Sequence, residues 1–246
     1  MNRYYYDMHI HSCLSPCADN DMTPNNIAGM ATIAGINIMA LTDHNSSKNC
    51  PAFFTAAKAY GIIPIAGMEL TTAEDIHVVC LFEKLDEAMQ FDSIVDKRRV
   101  AIANRTDIFG DQLIMDSRDN VIGTDPNLLP NATTISIEDA FDIVNGIGGI
   151  CYPAHIDRDA NGMIAVLGAF PSKPEFKHAE IYDRTKTAEF KQRFPRLNEM
   201  QILCSSDAHY LWDIRDKENY FDIDDEPYSS ELVRHRLFEI LKGRCE

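Results

Sequence analysis

The sequence predicts an α/β chain of strand and helix units that repeat, join in parallel and alternate as in a barrel. Two observations carry this: short apolar runs of strand length alternate with helical patterns, and ligand-competent polar residues recur at the ends of those runs. The first run, Tyr4 to His11, ends on the alternating His9 and His11. Positions i and i+2 of a strand face the same side, so the pair offers two imidazoles to one point. Thr23-Pro24 supplies an N-cap and a first-turn proline for a helix through Ala34, closed by Gly35. Ile36 to Leu41 reads as a buried strand, Ala52 to Tyr60 as a helix stopped at Gly61, and Ile62 to Met68 as a third strand leading to Glu69. Ile76 to Phe82 is the fourth. The rhythm breaks from Glu83 to Ile135, where a charged helical segment through Arg105 precedes a small hairpin, Leu113 to Met115 and Val121 to Gly123. Ser136 to Asp139 resembles a capping box, opening a helix that ends in Gly146 to Gly149. Strands follow at Ile150 to Pro153, Ala179 to Tyr182 and Gln201 to Ser205, and Glu231 to Leu241 is a terminal amphipathic helix. The expected organisation is one domain, 1–246, with an excursion at 83–135.

Composition narrows the function classes. The 246 residues are 45% hydrophobic with a formal net charge of −15, enough to bury a core. That charge opposes a polyanion, so extended nucleic-acid binding is disfavoured as an expectation. The N-terminal segment lacks the apolar stretch of a signal peptide and no run approaches membrane-spanning length, which predicts a cytoplasmic protein with no membrane partner. Seven cysteines, an odd number, with Cys80, Cys151 and Cys204 in apolar strand-like runs, predict reduced thiols rather than a disulfide framework. Cys13 and Cys17 read as free loop thiols, and Lys97-Arg98-Arg99 is too short for a nucleic-acid surface. Asp222 to Glu226 reads as a solvated loop, Tyr4 to Tyr6 as strand packing, and His178 and His235 as edge or solvent-facing residues. Trp212 either lines a cleft or caps the barrel.

A single histidine at a strand end is ordinarily a satisfied core or surface residue. Here six of eight, His9, His11, His44, His77, His155 and His209, lie in or just after predicted strands. Asp43-His44 follows the second strand, Glu69 the third, and Asp207 and His209 alternate after a late one. Functional groups gather at the carboxyl ends of strands in parallel barrels, so these residues are expected to converge. Glu69 is the best bridging carboxylate between two ions.

The ordered segments Asp7-Met8-His9-Ile10-His11-Ser12, Thr42-Asp43-His44, Gly67-Met68-Glu69-Leu70, Ile76-His77-Val78-Val79, Tyr152-Pro153-Ala154-His155 and Ser205-Ser206-Asp207-Ala208-His209 resemble the polymerase and histidinol phosphatase (PHP) superfamily of metal-dependent phosphoesterases. The resemblance implies a distorted (β/α)7 barrel, here with an inserted helix and small hairpin. It also implies two or three divalent ions (zinc, manganese or iron): a first held by His9, His11, Glu69 and Asp207, a second by Glu69, His77 and His155, a third by Asp19, His44 and His209. Family members commonly carry Ser-Asp-Gly where this chain has Ala18-Asp19-Asn20. The chemistry implied is attack of a metal-bridged hydroxide on phosphorus, with Asp207 and the His209 region serving catalysis and proton supply. Asp43 is expected to orient a ligand histidine, and Arg158 and Arg184 to bind substrate phosphate. A small phosphorylated metabolite or nucleotide is the expected substrate. The alternatives are an oligonucleotide-end nuclease, an amidohydrolase, or a non-catalytic metal-binding domain. The oligomeric state is not legible in the sequence.

Overall fold

A computed structural model describes residues 1–244. Its elements are β1 (Asn2–Asp7), α1 (Pro24–Ala34), β2 (Ile38–Leu41), α2 (Cys50–Ala59), β3 (Ile63–Thr71), β4 (His77–Phe82), α3 (Leu85–Asp96) and α4 (Thr106–Phe109). There follow β5 (Leu113–Met115), β6 (Val121–Thr124), α5 (Ile137–Ile147), β7 (Ile150–Pro153) and α6 (Met163–Leu167). The chain continues with β8 (His178–Glu180), α7 (Thr187–Arg193), β9 (Gln201–Leu203), β10 (Tyr220–Ile223) and α8 (Ser230–Leu241). The cap signals work as read. The Thr23 hydroxyl accepts the Asn26 N–H, and Ser136 accepts that of Asp139 at 3.1 Å. Gly35 and Gly148 close α1 and α5 in the left-handed region, at φ 73° and 100°, where a side chain would be strained.

The main sheet has the order β10-β1-β2-β3-β4-β7, with β1, β2 and β3 parallel as expected. The α/β class holds and the sheet curls as a half-barrel, but the parallel repeat fails at β4, which runs antiparallel to both β3 and β7. The reason is the connection: Thr72–Ile76, a tight turn closed by Thr72 N–H to Ile76 carbonyl at 2.9 Å, is far shorter than the dozen or so residues a parallel crossover needs. A second parallel pair, β8-β9, continues the curl. Its trailing segment meets the one after β1, where Asp207 N–H donates to the His9 carbonyl at 2.9 Å and His11 N–H to that of Ala208 at 3.0 Å.

Each sheet face buries an apolar layer. Met39 and Leu41 turn toward Ile27, Phe53, Phe91 and Val144 of the outer helices. Ile38 and Ala40 turn the other way, onto Tyr4, Tyr6, Val79, Tyr152 and the α8 residues Val233, Leu237 and Phe238. β10 was not expected. Phe221 and Ile223 are buried while Tyr220 and Asp222 face out, the alternation of a strand pairing antiparallel with β1, so the reading of Asp222 and Ile223 as solvated loop is corrected.

In the excursion the hairpin β5-β6 forms as expected, but α3 stops at Asp96 rather than Arg105. Arg99 turns back to bind Asp125 at 3.0 Å, and the following residues run through isolated bridges, Arg99 with Thr133 and Ala103 with Asn127. Cys13, Cys17, Cys50, Cys80, Cys151 and Cys204 are free thiols; the seventh, Cys245, lies outside the described residues. Among the described residues no helix is long and apolar enough to cross a membrane.

Candidate metal centre

The fold brings the sequence-predicted residues to one rim. His9 and His11 follow β1 on either side of the Ile10–Ala208 bridge, Asp43 and His44 follow β2, Glu69 sits near the end of β3, His155 follows β7, and Asp207 and His209 follow β9. His77 begins its strand, yet it joins the others because β4 runs antiparallel, placing it opposite Thr71. His155 and Asp207 both sit at positive φ, 26° and 51°, a strained conformation for residues with side chains.

His9 Nε2 and His11 Nε2 lie 3.2 Å apart. His9 Nε2 is 3.2 Å from Glu69 Oε1 and 3.4 Å from Asp207 Oδ1, and His11 Nε2 is 3.3 Å from Glu69 Oε2 and 3.2 Å from Asp207 Oδ1. Bond lengths of about 2.1 Å to a tetrahedral ion put its ligand atoms roughly 3.4 Å apart, the spacing of this set.

The proton inventory leads to the same place. The Ser15 hydroxyl donates its one hydrogen to Asp43 Oδ1 at 2.8 Å, so it accepts from His11 Nδ1 at 2.9 Å and from the His44 N–H at 3.1 Å. His9 Nδ1 donates to Glu180 Oε1 at 2.9 Å. Both imidazoles therefore hold a proton on Nδ1 and turn Nε2 toward the other, so Nε2 is the atom a cation would take in exchange for its proton. Asp43 thus orients His11 through Ser15, and the Ser12 N–H and hydroxyl hold its carboxylate at 2.7 and 2.6 Å. Glu180, fully buried and also accepting the His155 N–H at 3.1 Å, escaped sequence reasoning. Its one signal was an acid inside a short predicted strand, Ala179 to Tyr182.

Glu69 is the hub. Besides His9 and His11, its oxygens meet His44 Nδ1 and His77 Nδ1 at 2.9 Å each and His155 Nε2 at 3.0 Å. Two further sets of donor atoms are close enough to share an ion: His44, Glu69 and His77, and His11, His44 and His209. Asp19 is not brought into these groups; its carboxylate accepts the Asp21 N–H at 2.8 Å, while its own N–H bonds the His209 carbonyl at 2.9 Å. The thiol of Cys17 stands beside His44 instead. The buried Nδ1 atoms of His44 and His77 and Oδ1 of Asp207 have short neighbours but no properly angled hydrogen bond, as expected of atoms directed at a shared ion. The residues fit a multinuclear centre.

Charge follows position. Burial would raise the Glu69 carboxyl, but His77, His9 and His44 hold it well below the usual range. Burial would lower His11 and His44; Asp207 and Glu69 lift His11 to about 9, and Cys17 and Glu69 lift His44 to about 9. Burial and the neighbouring His11 push His209 down to about 3. His44, Glu69, His77, His155, Asp207 and His209 line a cavity of about 120 Å³ with Arg158, Ala160 and Asn161. Arg158 Nη1 lies 2.6 Å from Asp207 Oδ2 and its guanidinium stacks on Tyr182 at 3.9 Å. Arg184 is not brought to the cavity; its exposed guanidinium reaches Asn219 at 3.2 Å.

Against known proteins, the PHP domain family matches residues 7–129, half of the chain. The chain belongs to the PHP domain family. That family comprises metal-dependent hydrolases of phosphate esters, and the motifs that suggested it span both halves of this PHP chain. A 5′-3′ exoribonuclease of Haemophilus influenzae is 31% identical over 112 residues, 44% of this chain but only 39% of that protein, so the match spans well under half of the curated relative. The fold is shared with the lesion-specific endonuclease Q of Pyrococcus furiosus at a TM-score of 0.67 and 16% identity, covering 98% of this chain and 56% of that one. An amidohydrolase of Chromobacterium violaceum, solved with bound sulfate, gives a TM-score of 0.62 and 17% identity, covering 98% and 96%. These matches correct one expectation. A small phosphorylated partner, with extended nucleic-acid binding disfavoured, was inferred from the charge of −15, whereas the matched proteins include an exoribonuclease and an endonuclease. Net charge is a bulk property, and bound cations set the field at a cleft.

Proposed function

We propose that this chain is a metal-dependent phosphodiesterase acting on nucleic acid. The observation that carries the reading is Glu69, one carboxylate shared among five imidazoles on the wall of a cavity that also holds Arg158. In this reading His9, His11, Glu69 and Asp207 hold one ion, Glu69 with His44, His77 and His155 a second, and His44 and His209 contribute to a third position. Zinc, manganese or iron bound there would supply Lewis acidity and an activated water for in-line attack on phosphorus.

The remaining work falls to protein groups. Glu180, and Asp43 through Ser15, keep His9 and His11 in the tautomer that leaves Nε2 unprotonated. Arg158, partly exposed and pinned between Asp207 and Tyr182, has N–H groups left to meet a non-bridging phosphate oxygen. Arg184 sits outside this arrangement. His209 donates Nδ1–H to the Asp207 carbonyl at 2.9 Å and is neutral near pH 7, so Nε2 serves as a lone pair and the leaving oxygen takes its proton from solvent at the mouth.

The test is turnover by protein reconstituted separately with zinc, manganese and iron, offered single-stranded RNA and DNA oligonucleotides, nucleoside bisphosphates, and amide and lactone substrates. Metal-dependent cleavage of oligonucleotide phosphodiesters, abolished in Glu69→Gln, is the expected result. Amide or lactone hydrolysis with phosphate esters untouched would overturn the reading.

A further inference from the structure

We propose that Tyr210 and Trp212 form a stacking platform for an unpaired nucleobase at the mouth of the metal centre, so that the substrate is held as a single strand; this rests on the nucleic-acid reading above. Trp212 is the chain's one tryptophan and is 74% exposed, and Tyr210 is 38% exposed. Their rings stack on each other, centroids 4.9 Å apart and planes 18° from parallel, presenting one flat aromatic slab to solvent. The slab does not belong to a mobile tip. It rides on a single helical turn, Leu211–Asp213, closed by Asp213 N–H to the Tyr210 carbonyl at 3.0 Å. Leu211 packs into the core beneath the turn and Ile214 is buried just after it.

Position makes the slab meaningful. Tyr210 directly follows His209, whose ring stacks on that of His11 at 4.2 Å and lines the cavity. Three residues of chain span at most about 11 Å, which keeps the Trp212 backbone within that distance of the His209 backbone. A polar small molecule would gain little from two aromatic faces in water, whereas every base has a π-face and stacks without regard to sequence.

The charge balance gives stacking its weight. A chain of net charge −15, with Arg158 as the guanidinium lining the cavity, has little of the basic groove that normally tracks a phosphate backbone. The hold on a strand must then come from the centre itself and from base contacts. In a duplex the base faces are already stacked on one another, so an exposed slab favours an unpaired base.

The experiment uses the intact chain reconstituted with its active ion. Trp212 reports directly, because its emission is the protein's only tryptophan signal. Titration with a phosphorothioate-linked single-stranded oligonucleotide should quench that emission, and a strand abasic near the cleavage position should quench it far less. In Trp212→Ala the KM for the oligonucleotide should rise about 5- to 150-fold, the change carried by stacking one base, with kcat nearly unchanged. Trp212→Phe should recover most of the loss, and hydrolysis of the abasic strand should be the same in all three proteins. Unmoved emission, or an unaltered KM in Trp212→Ala, would overturn the platform while leaving the nuclease reading intact. Equal quenching by a blunt duplex would overturn the single-strand assignment, and failure of the wild-type chain to cleave any oligonucleotide would sink both readings.

Discussion

Two places in this molecule bury histidine, and they differ in everything but burial. At the carboxyl ends of β1, β2, β7 and β9, imidazoles crowd two carboxylates, and neighbouring groups fix which nitrogen carries the proton. At the amino ends of β7 and β8, His178 is only 4% exposed, against its expected surface position, and donates Nε2–H to the Leu241 carbonyl at 2.7 Å. The hollow beside it, about 220 Å³, is larger than the metal-centre cavity, yet His178 belongs to none of the candidate ion-holding groups among the described residues. Neither burial nor cavity size makes a site. What separates the two is whether a lone pair is left aimed at other lone pairs.

Removing the shared carboxylate should break that contrast most severely. Glu69→Gln keeps shape but loses the charge that serves two proposed ions, so bound metal by elemental analysis and oligonucleotide turnover should both fall, turnover on the order of 10³-fold or more. Retained stoichiometry would remove Glu69 from the hub. Glu180→Gln is subtler, since its amide can present N–H to His9 Nδ1 and turn the imidazole to its other tautomer. Competitive chelator titration should give a metal affinity about 10- to 100-fold weaker. An unchanged affinity would mean that His9 needs no orienting partner.

The contrast also explains what could be read from the chain alone. The hydrophobic periods, the caps at Thr23 and Ser136 and the alternating His9 and His11 are local signals, and the structure places them as local rules demand. Glu180 was invisible as a partner because its meaning lies in His9, across the sheet and far along the chain. The direction of β4 followed from a five-residue turn that hydropathy alone underweights, and β10 was masked by the acidic run around it. Asp19 had the right residue type, but its carboxylate is spent on its own loop.

Acid and base should act on the two regions with opposite signs. In metal-free protein His11 and His44 have folded values of about 9, above the unfolded value near 6.5, so the stability they contribute is present in full below about 6.5 and is lost as pH rises through about 9. Metal must displace the same protons, so its affinity should climb over that window. Thermal melts of chelated protein should therefore fall from pH 6.5 to 9, and melts with saturating metal should not. A flat profile without metal would show that His11 is not held charged by Asp207 and Glu69, nor His44 by Cys17 and Glu69.

His178 should show the reverse, at smaller scale. Burial, opposed by the Leu241 carbonyl and reinforced by the charge of Lys177, lowers its folded value, so unfolding takes up a proton and its contribution disappears as pH falls below about 6.5. His178→Ala leaves the Leu241 carbonyl without its donor and a small void against Tyr152, at a cost of about 1 to 3 kcal/mol near neutral pH. The measured difference from wild type should shrink toward pH 5, while bound metal and turnover stay as they were. Lost metal in this variant would mean that the two ends of the sheet are coupled, and that proton placement at one end is not a property of that end alone.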